Sequence, residues 1–285
     1  MDKKELNTKQ VGDLFGVDES TVRRWSIAGK IKCSSSAGGH RKFSYYNIIQ
    51  FSRTHGARFN QKKNIDSLDK EITIKKITQH TLNHDSDAIE ALFISLYLDG
   101  IQLSNLMDNY VEKVLIAIQK KLDLENISTA EEHIARKIIA RSLNNFRQSI
   151  SNTKEKKNKN ILCLNLENDI PDLPIDMIQI LLENINYNVQ NCGSHTSTEN
   201  LKILLSRRQY EAIFIYLCDR QCCTSTVRNN IKKTNHDLNE ISKLAEEYKI
   251  KLFLGGPSFK NINKENLKRY KRFTKYSEVL NIINN

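Results

Sequence analysis

Apolar residues recur along this chain with three different periods, and each period predicts a different kind of element. Thr8 reads as an N-cap, and Val11, Leu14 and Phe15 follow on one helical face. Gly16-Val17 interrupts that face as a tight turn would. Asp18 or Ser20 caps a second helix over 20–28, with Val22 and either Trp25 or Ile27 inward and Thr21, Arg23 and Arg24 outward. Residues 52–70 are polar and mixed in charge, reading as a linker or the end of a further helix. From 71 to 150 the helical period dominates. Leu103, Leu106, Met107, Tyr110, Val111, Val114, Leu115 and Ile118 form one stripe, and Ala88, Ile89, Leu92, Phe93 and Leu96 another. Ile134, Ile138, Ile139, Leu143 and Phe146 form a third, with no proline among them, which predicts a four-helix bundle. Past a polar hinge at 151–160 the period changes again. Short apolar runs at 161–166, 187–191, 212–218 and 251–254 alternate with helical stretches at 175–185, 199–207 and 237–248. That alternation predicts a doubly wound parallel α/β sheet over 160–285, with any ligand beyond the carboxyl ends of its strands.

The chain therefore reads as multidomain α and α/β: a head over 1–60, a bundle over 71–150 and the sheet domain. In the head, Ile31-Lys32-Cys33, a Ser/Gly loop and His40-Arg41-Lys42-Phe43 read as a hairpin wing beside a basic helix. A helix-turn-helix with such a wing suits DNA: arginine's planar fork bridges base edges or clamps phosphate. The candidate DNA contacts are Thr21, Arg23 and Arg24 on the helix and Ser36, Gly38, Gly39, His40, Arg41 and Lys42 in the wing. Trp25 and Phe43 fall on apolar faces and are assigned to the core.

Charge sharpens the picture. The net +11 is uneven: residues 1–60 hold 11 Lys/Arg against 5 Asp/Glu, whereas the other 225 hold 33 against 28. More than half of the excess sits in the head, as a nucleic-acid footprint would. The longest clean apolar run, Ala212 to Cys218, is far below the roughly 18 residues of a membrane span. With no secretory h-region and six irregularly spaced cysteines, a reduced cytoplasmic (nucleoid-associated) setting is expected.

The head resembles the winged-helix DNA-binding domain of the mercury-resistance-regulator (MerR) family. Val11-Gly12, Gly16-Val17, Thr21-Val22-Arg23-Arg24-Trp25, Gly29-Lys30-Ile31 and Gly38-Gly39-His40-Arg41-x-Phe43 carry the likeness. Head, bundle, a Glu131-Glu132-His133 motif at the start of the last bundle helix, and a sheet strand ending Gly255-Gly256 follow in a familiar order. The whole chain is similar to the cobalamin-dependent light-responsive repressors of carotenoid genes. That resemblance implies repression, a DNA-bound dimer or tetramer, and cobalamin between bundle and sheet, near Glu132, His133, Gly193, Gly255 and Gly256.

Departures from the family pattern change the expectation. The D-x-H-x-x-G loop, whose His ligates cobalt, here reads Asp169-Ile170-Pro171-Asp172-Leu173-Pro174, with no imidazole at neighbouring positions. Proline offers a metal no donor and fixes φ near −65°. Leu122 and Asp123 stand where photoreceptor members carry Trp-His. The domain is thus expected to keep its shape without cobalamin, and to work through oligomerisation or contact with an antagonist protein. Two sensing alternatives stay open: a working cobalamin photoreceptor, or a metal or redox sensor built on Cys192, His195, Cys218, Cys222 and Cys223. The cysteine groups would start about 10 Å apart, on strands flanking the first. As small apolar residues they need no ligand. A corrinoid-carrying enzyme subunit shares the architecture, but the head and the missing ligand argue against it. No triad or phosphate loop is legible, so no enzymatic activity is expected.

Overall fold

Asn7 rather than Thr8 starts the first helix. Its side chain accepts from Gln10 N–H at 2.9 Å while Gln10 Oε1 accepts from Asn7 N–H at 2.9 Å, a reciprocal cap. In this computed structural model the described residues are 5–36, 38–55, 57, 67–150, 158–167, 173–218 and 230–284. They fall into two units, Met1–Thr153 and Lys154–Asn285.

The first unit opens with β1 (Leu6–Asn7), α1 (Thr8–Phe15) and α2 (Glu19–Ile27). Gly16 closes α1 at φ 66°, a left-handed turn that glycine adopts without steric cost. Asp18 caps α2 by accepting from Ser20 N–H at 2.8 Å; that backbone hydrogen bond holds its carboxyl below the usual value. The wing strands are β2 (Ser34–Ser35) and β3 (Arg41–Phe43), in an antiparallel sheet of order β1-β3-β2. The expected strand at 31–33 is displaced: Ile31 turns inward after Gly29 and is buried in the head core. Helix α3 (Tyr45–His55) completes the head. Val11, Phe15, Val22, Phe43, Ile48 and Phe51 are buried, and Trp25 packs on Phe15 and Phe51 with ring centroids 5.7 and 4.5 Å away. Of the two inward choices, Trp25 is the one used; Ile27 is 75% exposed.

The bundle consists of α4 (Ser67–Leu82), α5 (Ser86–Leu98), a third continuous helical run and α8 (Thr129–Ile150). That third run is α6 (Leu103–Leu106), a π-helical turn at Met107–Val111, and α7 (Glu112–Asp123). All eight residues of its predicted stripe are buried, so the widened turn does not rotate the apolar face out of the core. Ile134, expected to face inward, is 42% exposed in the first turns of α8. Helix α3 packs against α8, and Tyr45 of α3 lies near Asp99 at the end of α5. Burial, then the Asp99 charge, raise its phenol above the ordinary value.

In the second unit the parallel strands β4 (Asn160–Leu164), β5 (Asn188–Asn191), β6 (Ala212–Tyr216), β7 (Lys251–Gly255) and β8 (Lys271–Phe273) stand in the order β5-β4-β6-β7-β8. Helices α9 (Leu173–Asn184), α10 (Thr198–Arg207), α11 (Ile231–Tyr248), α12 (Lys264–Lys268) and α13 (Tyr276–Asn284) connect or follow them. Alternation fixes the faces. Leu162, Leu164, Ile213, Ile215, Leu252 and Leu254 share a core with Leu201, Leu205, Leu238 and Ile241 of α10 and α11. On the opposite side α9 packs on β4 and β6 and against α13. The strand order reverses between β4 and β6, which is where a ligand crevice opens in sheets of this kind. Pro174 sits in the first turn of α9, where a missing N–H costs nothing. Pro171 lies outside the described residues.

Candidate functional site

The head presents a cationic face built by α2 and the wing. Arg24 donates from Nη2 to Thr21 Oγ1 at 3.0 Å, which orders its fork on the outward side of the helix. Arg23 is 60% exposed, with Glu19 Oε2 3.7 Å away, a pairing that solvent screens. The wing tip is shaped by its own backbone: Ser36 N–H donates to His40 O at 3.0 Å and Gly39 N–H to Ser36 O at 2.9 Å. Ser36, Gly38, Gly39, His40 and Lys42 are exposed.

Arg41 behaves differently from the other wing residues. It is half-buried, and its Nε donates to Ser26 Oγ at 3.1 Å; Ser26 Oγ also lies 3.0 Å from Cys33 Sγ. One serine hydroxyl on α2 therefore ties both sides of the wing to that helix. Sequence reasoning missed Ser26, because a serine between Trp25 and Ile27 carries no periodic signal.

In the bundle, the Glu131-Glu132-His133 motif separates into three roles. Glu131 is a capping residue: Ser128 N–H and Oγ–H donate to its Oε2 at 2.7 and 2.8 Å, and this backbone bond lowers its carboxyl. His133 is 54% exposed, and its Nε2 lies 3.9 Å from Glu132 Oε2. Glu132 is fully buried and accepts a hydrogen bond from Arg136 Nε, one helical turn on. Glu132 Oε2 and both Nη atoms of Arg136 are buried without a hydrogen-bond partner among the described residues. The i,i+4 spacing was legible, yet such pairs are normally read as solvated surface.

At the carboxyl ends of the strands, Gly193 follows β5, and its N–H donates to Asn191 Oδ1 at 2.7 Å. Gly255 and Gly256 end β7 under tight contacts. A Cβ on Gly255 would lie 2.1 Å from Phe273 Cζ, and one on Gly256, at φ 105°, 2.1 Å from the Leu217 carbonyl oxygen. Phe273 in turn lies tilted against Phe214 with centroids 6.0 Å apart, and Phe214 stacks on Phe253 at 4.5 Å. The position a Cβ would take at either glycine is therefore occupied by the protein itself.

The cysteine and histidine candidates do not gather. Cys192 is half-buried next to β4, its N–H donating to Cys163 O at 2.9 Å, and burial raises its thiol. Burial raises the Cys163 thiol far more. Cys218 is buried beyond β6, where Ser258 Oγ donates to its carbonyl at 3.2 Å; His195 is exposed. Cys222 and Cys223 lie outside the described residues. Among the described residues no three His, Cys, Asp or Glu side chains are placed to hold a metal ion, and raised thiols oppose the thiolate form that metals need. Nor is any described helix long and apolar enough to cross a membrane.

No family model matches this chain, and no curated protein matches its sequence. Solved structures do match. The monomethylamine corrinoid protein of Methanosarcina barkeri superposes with a TM-score of 0.56 at 11% identity, over 75% of this chain and 98% of that one. The methanol:cobalamin methyltransferase complex MtaBC of the same organism aligns over 75% of this chain and 79% of that one at 14% identity. A cobalamin-binding protein of Desulfitobacterium hafniense DCB-2 aligns over 74% and 97% at 11% identity; both of these reach a TM-score of 0.36. Over three quarters of its length, the chain shares the fold of the first of these.

Proposed function

We propose that this protein is a sequence-specific DNA-binding transcriptional regulator of the MerR type, acting in the cytoplasm as a homodimer or larger oligomer, and as a repressor. The observation that carries the reading is the joint cationic face of α2 and the wing, with Arg24 ordered on Thr21 and the wing tied to the helix through Ser26. In this reading α2 enters the major groove, Arg23 and Arg24 read base edges with Thr21, and the wing from Ser36 to Lys42 clamps flanking phosphates. A single head buries limited surface, so affinity comes from two or more half-sites. Arg24→Ala is expected to lower affinity for a selected operator about ten- to a hundredfold, as loss of a bidentate base contact does. Unchanged affinity at fixed salt overturns the docking.

The fold implies cobalamin, and the residues do not fit it in histidine-ligated form. Position 171 is proline, which offers cobalt no donor, and no imidazole stands at the neighbouring positions. We therefore assign the sheet domain to oligomerisation or to contact with an antagonist protein. Incubation with adenosylcobalamin, gel filtration and an absorption spectrum test this: no retained corrinoid is expected, and retention overturns the assignment.

A further inference from the structure

The most exposed large apolar side chain of the described residues is Ile27, at 75%. It is the last residue of α2, three positions after Arg24 and four after Arg23, so all three share one face of the helix. An isoleucine left in water between two arginines is not explained by the head core, which Val22 and Trp25 already close. The flanking cations suit a polyanionic partner, and the isoleucine suits one that offers apolar carbon at the same depth. The major groove of duplex DNA offers both, through its phosphates and the thymine C5-methyl group.

We propose that Ile27 is a specificity-determining residue that packs on thymine methyls in the major groove, selecting A·T pairs next to the bases read by Arg23 and Arg24. This rests on the DNA-binding reading above and adds to it a base preference that the arginines alone do not impose. Arginine selects guanine through paired acceptors, whereas a branched aliphatic side chain selects the only base edge that carries a methyl.

The test uses the full chain and duplexes selected from a library with a randomised centre. Each thymine of an enriched site is replaced in turn by uracil, which removes the methyl and leaves the pairing intact. Affinity is then measured at fixed salt for the parent protein, Ile27→Ala and Ile27→Gln. At one or two thymines per half-site, the parent is expected to lose about fourfold per methyl, the worth of one buried carbon. Ile27→Ala should be insensitive to the same replacement, and Ile27→Gln should prefer adenine there, since glutamine pairs with adenine N6 and N7. The inference is overturned if parent and Ile27→Ala respond alike to every uracil. It is equally overturned if Ile27→Ala binds as the parent does while self-association weakens, which would make Ile27 a contact between copies. Failure of the underlying reading looks different: no sequence is enriched, and Arg24→Ala changes nothing.

Discussion

Removing one partner of the Glu132–Arg136 pair should cost more than removing both. Glu132 is fully buried, and Arg136 is 13% exposed. Truncating Glu132 strands the Arg136 charge, and truncating Arg136 leaves Glu132 with only the exposed His133 ring, 3.9 Å away; stranding a buried charge costs about 3–5 kcal/mol. The pair as built gains less than that figure suggests. Three of its polar atoms lack hydrogen-bond partners among the described residues, and each such atom costs about 1–3 kcal/mol of desolvation. Replacing both residues with apolar ones of similar size should therefore be nearly neutral or stabilising. The assay is calorimetric melting of Arg136→Met, Glu132→Leu and the double variant. In a unit of this size, about 2–4 °C accompanies each kcal/mol, so each single variant should melt about 6–20 °C lower and the double variant within a few degrees of the parent. If the two losses simply add in the double variant, the ion pair is not what couples these residues, and the reasoning fails.

Other expectations follow from single contacts. Ser26→Ala removes the shared partner of Arg41 and Cys33, costing about 1 kcal/mol; operator affinity should fall several-fold while its salt dependence stays unchanged, and a shallower salt slope would show that the hydroxyl bears on phosphate contacts directly. Gly255→Ala drives a methyl into the Phe273 ring and should cost about 1–3 kcal/mol by overpacking; chemical denaturation should show Phe273→Leu recovering most of it, and no recovery refutes the packing account. Asp18 has a lowered folded value, so its charge contributes stability above the ordinary carboxylate value, and that stability is lost as pH falls through the lower folded one. Asp18→Asn keeps a capping side chain without that titration, so helical signal followed by circular dichroism should decline less on acidification than in the parent.

Long periodic elements were legible from the sequence because burial enforces the period. The eight stripe residues from Leu103 to Ile118 are all buried; three of the five strands were visible as apolar runs, and a fourth, at 187–191, by its place between two helical stretches. What escaped was short or locally ambiguous. Lys271-Arg272-Phe273 is a basic tripeptide whose pairing with β7 makes it a strand, a tertiary effect with no local signature. Ile27 lies five residues beyond Val22, about 140° round the helix, and only the placement of Trp25 against Phe51 decides which of the two turns outward. At Glu132 charge misled, since a carboxylate and a guanidinium one turn apart look solvated until the neighbouring helices are in place. The residues of the cationic face were legible as a pattern, whereas the hydroxyl that ties the wing to the helix emerged only from three-dimensional proximity.

The Phe273 ring against Gly255 also makes the two positions depend on each other. Any side chain at 255 needs a smaller one at 273, and a smaller residue at 273 leaves a void beside Phe214 unless position 255 grows into it. Neither change improves packing alone. The two positions are therefore expected to vary together among related sequences, a large aromatic at one accompanying glycine at the other.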